Sequence, residues 1–553
     1  MGKAFRLVAV LLLVVGSASL AGSAWAQNDT EGDIESSTEQ TGQAGTGDAV
    51  GGQVVGVVSA GDTSVDATNR SEDVDIETGD ATGSNDVDNF TGQLETGTTV
   101  IDDGDVDDFS INDQDGDNSS DVVQAAEATS GDGVGGQVIG VVTSAGGSAD
   151  VVAANTSEDV DIETGDVSAE NILFGFIGQL AADTTFIADA GFLAIAAIDD
   201  VSVNSQVGDN ESDVSQAANA SSGDGVGGQV LGIVSAGDAS VDATNSSTGV
   251  DIETGEAFAG NFADPFVGQL AVDSTFIADA GFLAIAAIDG VSVNGQEGDN
   301  SSDIAQAADA SSGDGVGGQV IGAVTSAGGS ADVVAANTSE DVDIETGDAS
   351  ATNEATPFVG QLAADTTLIA DAGFLAIAAI TGVSVNDQVG GNASDISQAA
   401  DASTGDGVGG QVLGIVSAGD TSVDATNRSE DADVETGDAF ADNFADLFVG
   451  QLAVGTTLIA DSGAFSIEII DDVAVNTQNG ETSSDVVQAA NANSGDAVAG
   501  QVAGVVTSAG GSADLVLANT SEGIDAESGL SEFDNDTQEF IGQLVIGITE
   551  IED

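Results

Sequence analysis

An all-β repeat array, a β-solenoid in preference to a string of tandem β-sandwich domains, is the fold class this sequence predicts. Three observations predict it. One Gly-rich motif recurs six times, as GDAVGGQV at Gly47, GDGVGGQV at Gly131, Gly223, Gly313 and Gly405, and GDAVAGQV at Gly495, at spacings of 84, 92, 90, 92 and 90 residues. A period so regular marks one unit that was copied and stacked. The stretches between are short, rich in Val, Ile, Thr and Phe, and punctuated by Gly, Asp, Asn and Ser, the composition of strands and turns. Finally, where one copy reads Leu193-Ala194-Ile195-Ala196-Ala197-Ile198, another reads Phe465-Ser466-Ile467-Glu468-Ile469-Ile470. Polar residues enter only at alternate positions, as on a strand with an inner and an outer face. The solenoid is preferred because sandwich domains of this size usually fill their cores with large aromatic residues, whereas Gly, Ala, Val and Ser dominate here. Each unit is expected to form several coils of roughly 20 residues. The only prolines, Pro265 and Pro357, fit unbroken ladders.

In chain order, residues 1 to 26 read as a secretory signal, with Lys3 and Arg6 before an apolar core from Leu7 to Val15 and a small-residue cleavage site at Ala24-Trp25-Ala26. The mature chain is therefore expected to be secreted, extracellular or on the cell surface. Residues 27 to 46 lack an apolar cluster and read as a flexible acidic leader. Six repeats follow: 47–130, resembling an N-terminal cap, then 131–222, 223–312, 313–404 and 405–494, and a truncated C-terminal cap at 495–553. Odd units join Val58 to Asn69 through SAGDTSVDAT, and even ones join Val142 to Asn155 through the longer TSAGGSADVVAA. A difference of two residues preserves strand parity, so two unit types are expected to alternate. No later stretch offers the roughly 20 apolar residues of a membrane span.

Charge narrows the partners. The chain holds 96 Asp and Glu against four Lys and Arg, and cleavage of the signal leaves only Arg70 and Arg428 as cations. Nucleic acid and anionic lipid are excluded as partners, since phosphate binding needs a cationic surface. The acidity fits a high-salt environment that screens it, divalent-cation binding, or plain solubility. With no Cys, neither disulfides nor thiolate metal sites can form. Catalysis has little to work with: His, Cys and Tyr are absent, the only Lys lies in the signal, and no Asp or Glu sits in a motif found once. The chain is not expected to be an enzyme.

Two patterns are candidate metal ligands. Asp73, Asp75 and Glu77 alternate with Val74 and Ile76, which on a strand puts carboxylates on one face. Oxygen ligands at close spacing suit calcium or magnesium, and the bland alternative is a solvated face. The run Asp113, Asp115, Asp117, Asp121 has the opening spacing of a calcium loop, but carries Asn118 where Gly is needed and Gln124 where Glu is needed. Calcium is thus the one cofactor to weigh; otherwise none is expected. Asn-x-Ser sequons recur at Asn69, Asn155, Asn245, Asn337, Asn427 and Asn519. They are candidate glycosylation sites, or turn or ladder asparagines followed by a hydroxyl residue.

Gln recurs at four places in a full unit, for instance Gln137, Gln179, Gln206 and Gln216. The segment SVNSQVGDNESDVSQ, from Ser202 to Gln216, resembles the curlin-like Gln/Asn repeats of bacterial extracellular fibres, with a Gln-to-Gln spacing of 10 residues in place of that family's 11. The resemblance covers part of each repeat and implies a self-assembling β-solenoid fibre held by amide ladders. Otherwise the amides would serve turns and backbone groups. The expected function is a structural, adhesive or fibre-forming component of the cell surface or extracellular matrix, partnered by itself or by other surface components. The alternative is an extracellular calcium-binding repeat module.

Overall fold

The computed structural model describes residues 25–551 except 53, 60–61, 102–105, 144–147, 189–192, 196–197, 237, 281–282, 286–287, 327–329, 373–374, 378–379, 419, 463–464, 468–472 and 509–511. The described residues are all β, without helix, so none holds a helix long and apolar enough to cross a membrane. One coil runs through the strands Val106–Asp115, Asn118–Thr129, Gly133–Val134, Val138–Thr143, Ser148–Glu163, Val167–Ala188 and Leu193–Ile195 before Ile198–Val207 begins the next. Each strand pairs in parallel with its counterpart one repeat away, giving seven sheets among the described residues. The protein is a parallel β-solenoid.

One coil is one repeat. Asn118–Thr129 lies residue for residue on Asn210–Ser221, and Val167–Ala188 on Ala257–Ala278. Ladder partners are thus 84 to 92 residues apart, which replaces the expected coils of roughly 20 residues. A period of two identifies the face a residue occupies and says nothing of how far along the chain its ladder partner lies. With layers about 4.8 Å apart and strands as long as the 24 residues of Ala257–Ala280, the described residues form six broad layers.

Residues 27 to 46, expected to form a flexible leader, instead supply ladder strands: Trp25–Glu31 pairs with Phe109–Asp115, and Ile34–Gly45 with Asn118–Thr129. Alternation of Ser, Thr, Gln and Gly suffices because a neighbouring layer satisfies the backbone. Residues 1 to 24, with most of the expected signal, lie outside the described residues.

Small residues let the sheets close on each other. Ala126, Ala128, Ala218 and Ala220 face Val167, Ala169, Ala257 and Ala259 in one core column. Val230, Val234, Val241 and Ala243 build a second, and Val160, Ile162, Val250 and Ile252 a third. Phe90, Phe176, Phe266, Phe358, Phe448 and Phe540 stack face to face, centroids 4.7 to 5.1 Å apart. The expected alternation at 193–198 and 465–470 falls on side chains outside the described residues; the short strands Leu193–Ile195 and Phe465–Ile467 do belong to one sheet.

Candidate functional site: ladders inside, acid columns outside

The Gly-rich motif is a stacking device. In each Ser/Thr-Gly-Asp turn the hydroxyl and carboxylate of one layer accept N–H groups of the next: Gly223 N donates to Ser130 Oγ at 2.8 Å and Asp224 N to Asp132 Oδ1 at 3.1 Å. The glycine is obligatory, since a Cβ on Gly223 would lie 2.1 Å from the Gly131 carbonyl oxygen. The motif's glutamine continues the theme, Gln137 Nε2 donating to Gln229 Oε1 at 2.8 Å.

The sequon asparagines form such a ladder in the interior. Asn69 Nδ2 donates to Asn155 Oδ1 at 2.8 Å, Asn155 to Asn245, Asn245 to Asn337 and Asn337 to Asn427 at 2.9 Å, and Asn427 to Asn519 at 2.8 Å. The second amide hydrogen reaches the Ser two residues on, as Asn245 to Ser247 at 3.0 Å. On a strand, residues two apart share a face, so Asn-x-Ser here is a ladder unit. Asn155, Asn245, Asn337 and Asn427 are 2 to 3% exposed, which places their amides in the core and leaves no room for a glycan. The ladder alternative is the one the structure adopts.

Glutamines behave alike. Gln206 Nε2 donates to Gln114 Oε1 at 3.0 Å and to the Leu270 carbonyl at 3.2 Å. Gln216 Nε2 reaches Gln124 Oε1 at 2.8 Å and the Phe262 carbonyl at 2.9 Å. Both expected roles, ladder and backbone satisfaction, are filled by the same amide.

The candidate metal ligands are placed differently from a cage. Asp117 caps the turn above, its Oδ1 accepting Asp209 N at 2.9 Å. Asp115 and Asp121 are exposed, the side chain of Asp113 lies outside the described residues, and Gln124 is in a ladder. Asp75 and Glu77 point outward and repeat in register as Asp161, Asp251, Asp343, Asp433 and Asp525, and as Glu163, Glu253, Glu345, Glu435 and Glu527. Asp73 does not share their strand geometry. It adopts φ 54°, as Asp159, Asp341 and Asp431 adopt 49 to 52° and Gly249 and Gly523 adopt 59 and 65°, and it is skipped in the pairing. This left-handed residue, which Asp and Gly tolerate best, switches the inward face from Asn69 and Ser71 to Ile76. Among the described residues no group of three or more acids is arranged to hold a metal ion.

The two unit types acquire a reason that length alone did not disclose. In register, Asp62, Ser148, Asp238, Ser330, Asp420 and Ser512 form one column, and Ser64, Asp150, Ser240, Asp332, Ser422 and Asp514 its neighbour. The result is a checkerboard in which each acid meets hydroxyls, for example Ser512 N and Oγ donating to Asp420 Oδ1 at 2.8 and 2.9 Å. The extra two residues of even units fall between Thr143 and Ser148, outside the described residues, and register resumes one to one on either side. The expected preservation of strand parity across that insertion thus falls on residues outside those described.

Crowding has an electrostatic consequence. Partial burial, then the neighbouring acids Asp343 and Asp161, hold the Asp251 carboxyl above the usual range, and burial followed by Glu345 and Glu163 does the same for Glu253. Asp213 and Asp303 are raised likewise in a parallel column, while hydrogen bonds from Ser512 lower Asp420. A raised carboxyl binds protons more tightly folded than unfolded. Its contribution is fully present below the unfolded pKa, about 4, and is lost as pH rises through the folded value. The melting temperature is therefore expected to rise as pH is lowered from about 6 to about 4, towards the unfolded pKa, at fixed ionic strength, followed by circular dichroism. A fall over that window would contradict the assignment.

No protein-family model, curated protein or solved structure matches this chain.

Proposed function

We propose that this is an exported structural protein of the cell surface or extracellular matrix, working as a fibre-forming or adhesive element through repetition rather than through one site. The observation that carries this reading is how the polar side chains are spent: Asn, Gln, Ser, Thr and turn Asp groups bond mainly to the next layer, and what remains outward is an acidic coat. Such a coat favours solubility in salt, where charges beyond about a Debye length are screened.

A second reading, uptake of divalent cations, is favoured by one contrast. The checkerboard breaks up acid columns on one stretch of the surface, whereas Asp75 and Glu77 head uninterrupted ones. One titration separates the two. In chelator the protein is expected to show full β circular dichroism, a 4.8 Å layer spacing by X-ray scattering, and melting that rises with sodium chloride. If β structure appears only when calcium is added at constant ionic strength, the cation reading replaces the structural one. The mature chain lacks Trp and Tyr, so concentration must be read by a probe other than 280 nm absorbance.

A further inference from the structure

The glycines of the end layers carry information that interior ones do not. Inside the stack a turn glycine is forced by its counterpart one layer away: a Cβ on Gly131 would lie 2.3 Å from the Gly47 carbonyl, and one on Gly165 2.4 Å from that of Gly79. Gly47 and Gly79 belong to the first layer. A Cβ on Gly47 would meet nothing within 4 Å, one on Gly79 only a Thr46 methyl at an ordinary 3.5 Å, and neither has a positive φ. Nothing among the described residues requires glycine at either place.

Other glycines have been exchanged in the end layers. Ala49 stands where the next layer has Gly133, and Ala497 and Ala499 stand where the layer below has Gly407 and Gly409. Those positions face side chains of their own layer, Ile162 for Gly133 and Val434 for Gly407 and Gly409. Exchange in the end layers thus falls on glycines that face their own layer's side chains, of which Gly51, Gly56 and Gly504 are retained, while Gly47 and Gly79, with no such close neighbour, are kept.

Both ends also present matching halves of the columns. Phe90 is 54% exposed and Phe540 39% exposed, though both stack on one side. The asparagine ladder ends at Asn69 and Asn519, and a glutamine ladder at Gln93 and Gln543. The layers start with the Asp62 type and end with the Ser512 type, so a first layer laid on a sixth continues the checkerboard, Asp62 on Ser512 as Asp238 on Ser148.

We propose that copies of this chain join head to tail, the first layer of one seated in register on the sixth layer of another; this rests on the structural reading above. The open sheet edges supply the backbone pairing, Gly47 meets Gly495, Gly79 meets Gly529, and Phe90 stacks on Phe540. Repulsion between acidic copies makes the joint salt-dependent.

The test uses sedimentation and electron microscopy of the purified protein at low and at about 1 M salt. Stacks that lengthen with concentration at high salt are expected. Gly47→Val with Gly79→Val blocks the first layer at two positions where a Cβ meets no internal clash, and Phe540→Asp blocks the sixth. Each variant is expected to keep wild-type circular dichroism and lose association at least tenfold, and an equimolar mixture of the two should stop at dimers. Gly47→Ala with Gly79→Ala serves if valine disturbs folding. Folded wild-type particles that stay single at every salt concentration, or blocked variants that assemble as well as wild type, overturn the joint while leaving the structural reading intact. Loss of ordered layers in the wild-type protein itself would instead overturn that reading.

Discussion

Replacing Gly268 by alanine is expected to lower stability by about 3 to 5 kcal/mol, the range reserved for substitutions that force the backbone apart. Gly268 has φ +150°, and a Cβ there would lie 1.7 Å from the carbonyl oxygen of Gly360, one layer away. No side chain can turn aside to relieve that contact. Because each layer touches only its neighbours, the damage falls on two interfaces, and the transition should broaden or split as nearest-neighbour coupling is lost. Gly542 is the control: its φ is +152°, but nothing lies within 4 Å of its Cβ. Gly542→Ala retains the conformational strain of about 1 to 2 kcal/mol and loses the clash. Urea unfolding followed by circular dichroism separates the two, and equal losses for both variants would refute the interlayer clash as the cause.

The second large effect is expected at Asn245. Asn245→Ala removes the acceptor of Asn155 Nδ2 at 2.9 Å and the donor to Asn337 Oδ1 at 2.9 Å. Two buried amides then face each other across a missing partner, at a cost of about 2 to 4 kcal/mol. Asn519→Ala takes away only the end of the same column, where the side chain is exposed, and should cost less than about 1 kcal/mol. Both come from chemical denaturation midpoints. If they are alike, the ladder contributes nothing beyond local contacts.

These effects lie where sequence reading was least able to reach. The sequence shows Asn69 recurring in five copies, which fits a ladder, but recurrence is equally what a surface glycosylation site in a repeat would show. Burial decided it, and burial depends on which strands face each other. The unit alternation was read from a length difference; its electrostatic content appears only when Asp150 is laid on Ser64 and Ser240. Alternation predicts one face for the acidic triplet, and the left-handed turn at Asp73 breaks it, because a single residue with positive φ shifts the inward parity in a way no alternation count detects. The lack of an apolar cluster in residues 27 to 46 predicts a flexible leader, yet a strand that only has to pair along its edge needs amides and hydroxyls more than a hydrophobic face.

The sequence by itself determined the repeat, its two types, the β character of its segments and the absence of the side chains most enzymes use. These follow from local spacing and composition. Only the tertiary structure decided that each coil spans a whole repeat, that the Gly-rich motif is a turn and ladder unit, and that equivalent residues lie on each other. A strand's own pattern tells which face is inward. Its partner is chosen by the fit of whole layers, in which every glycine, amide and ring must match at once.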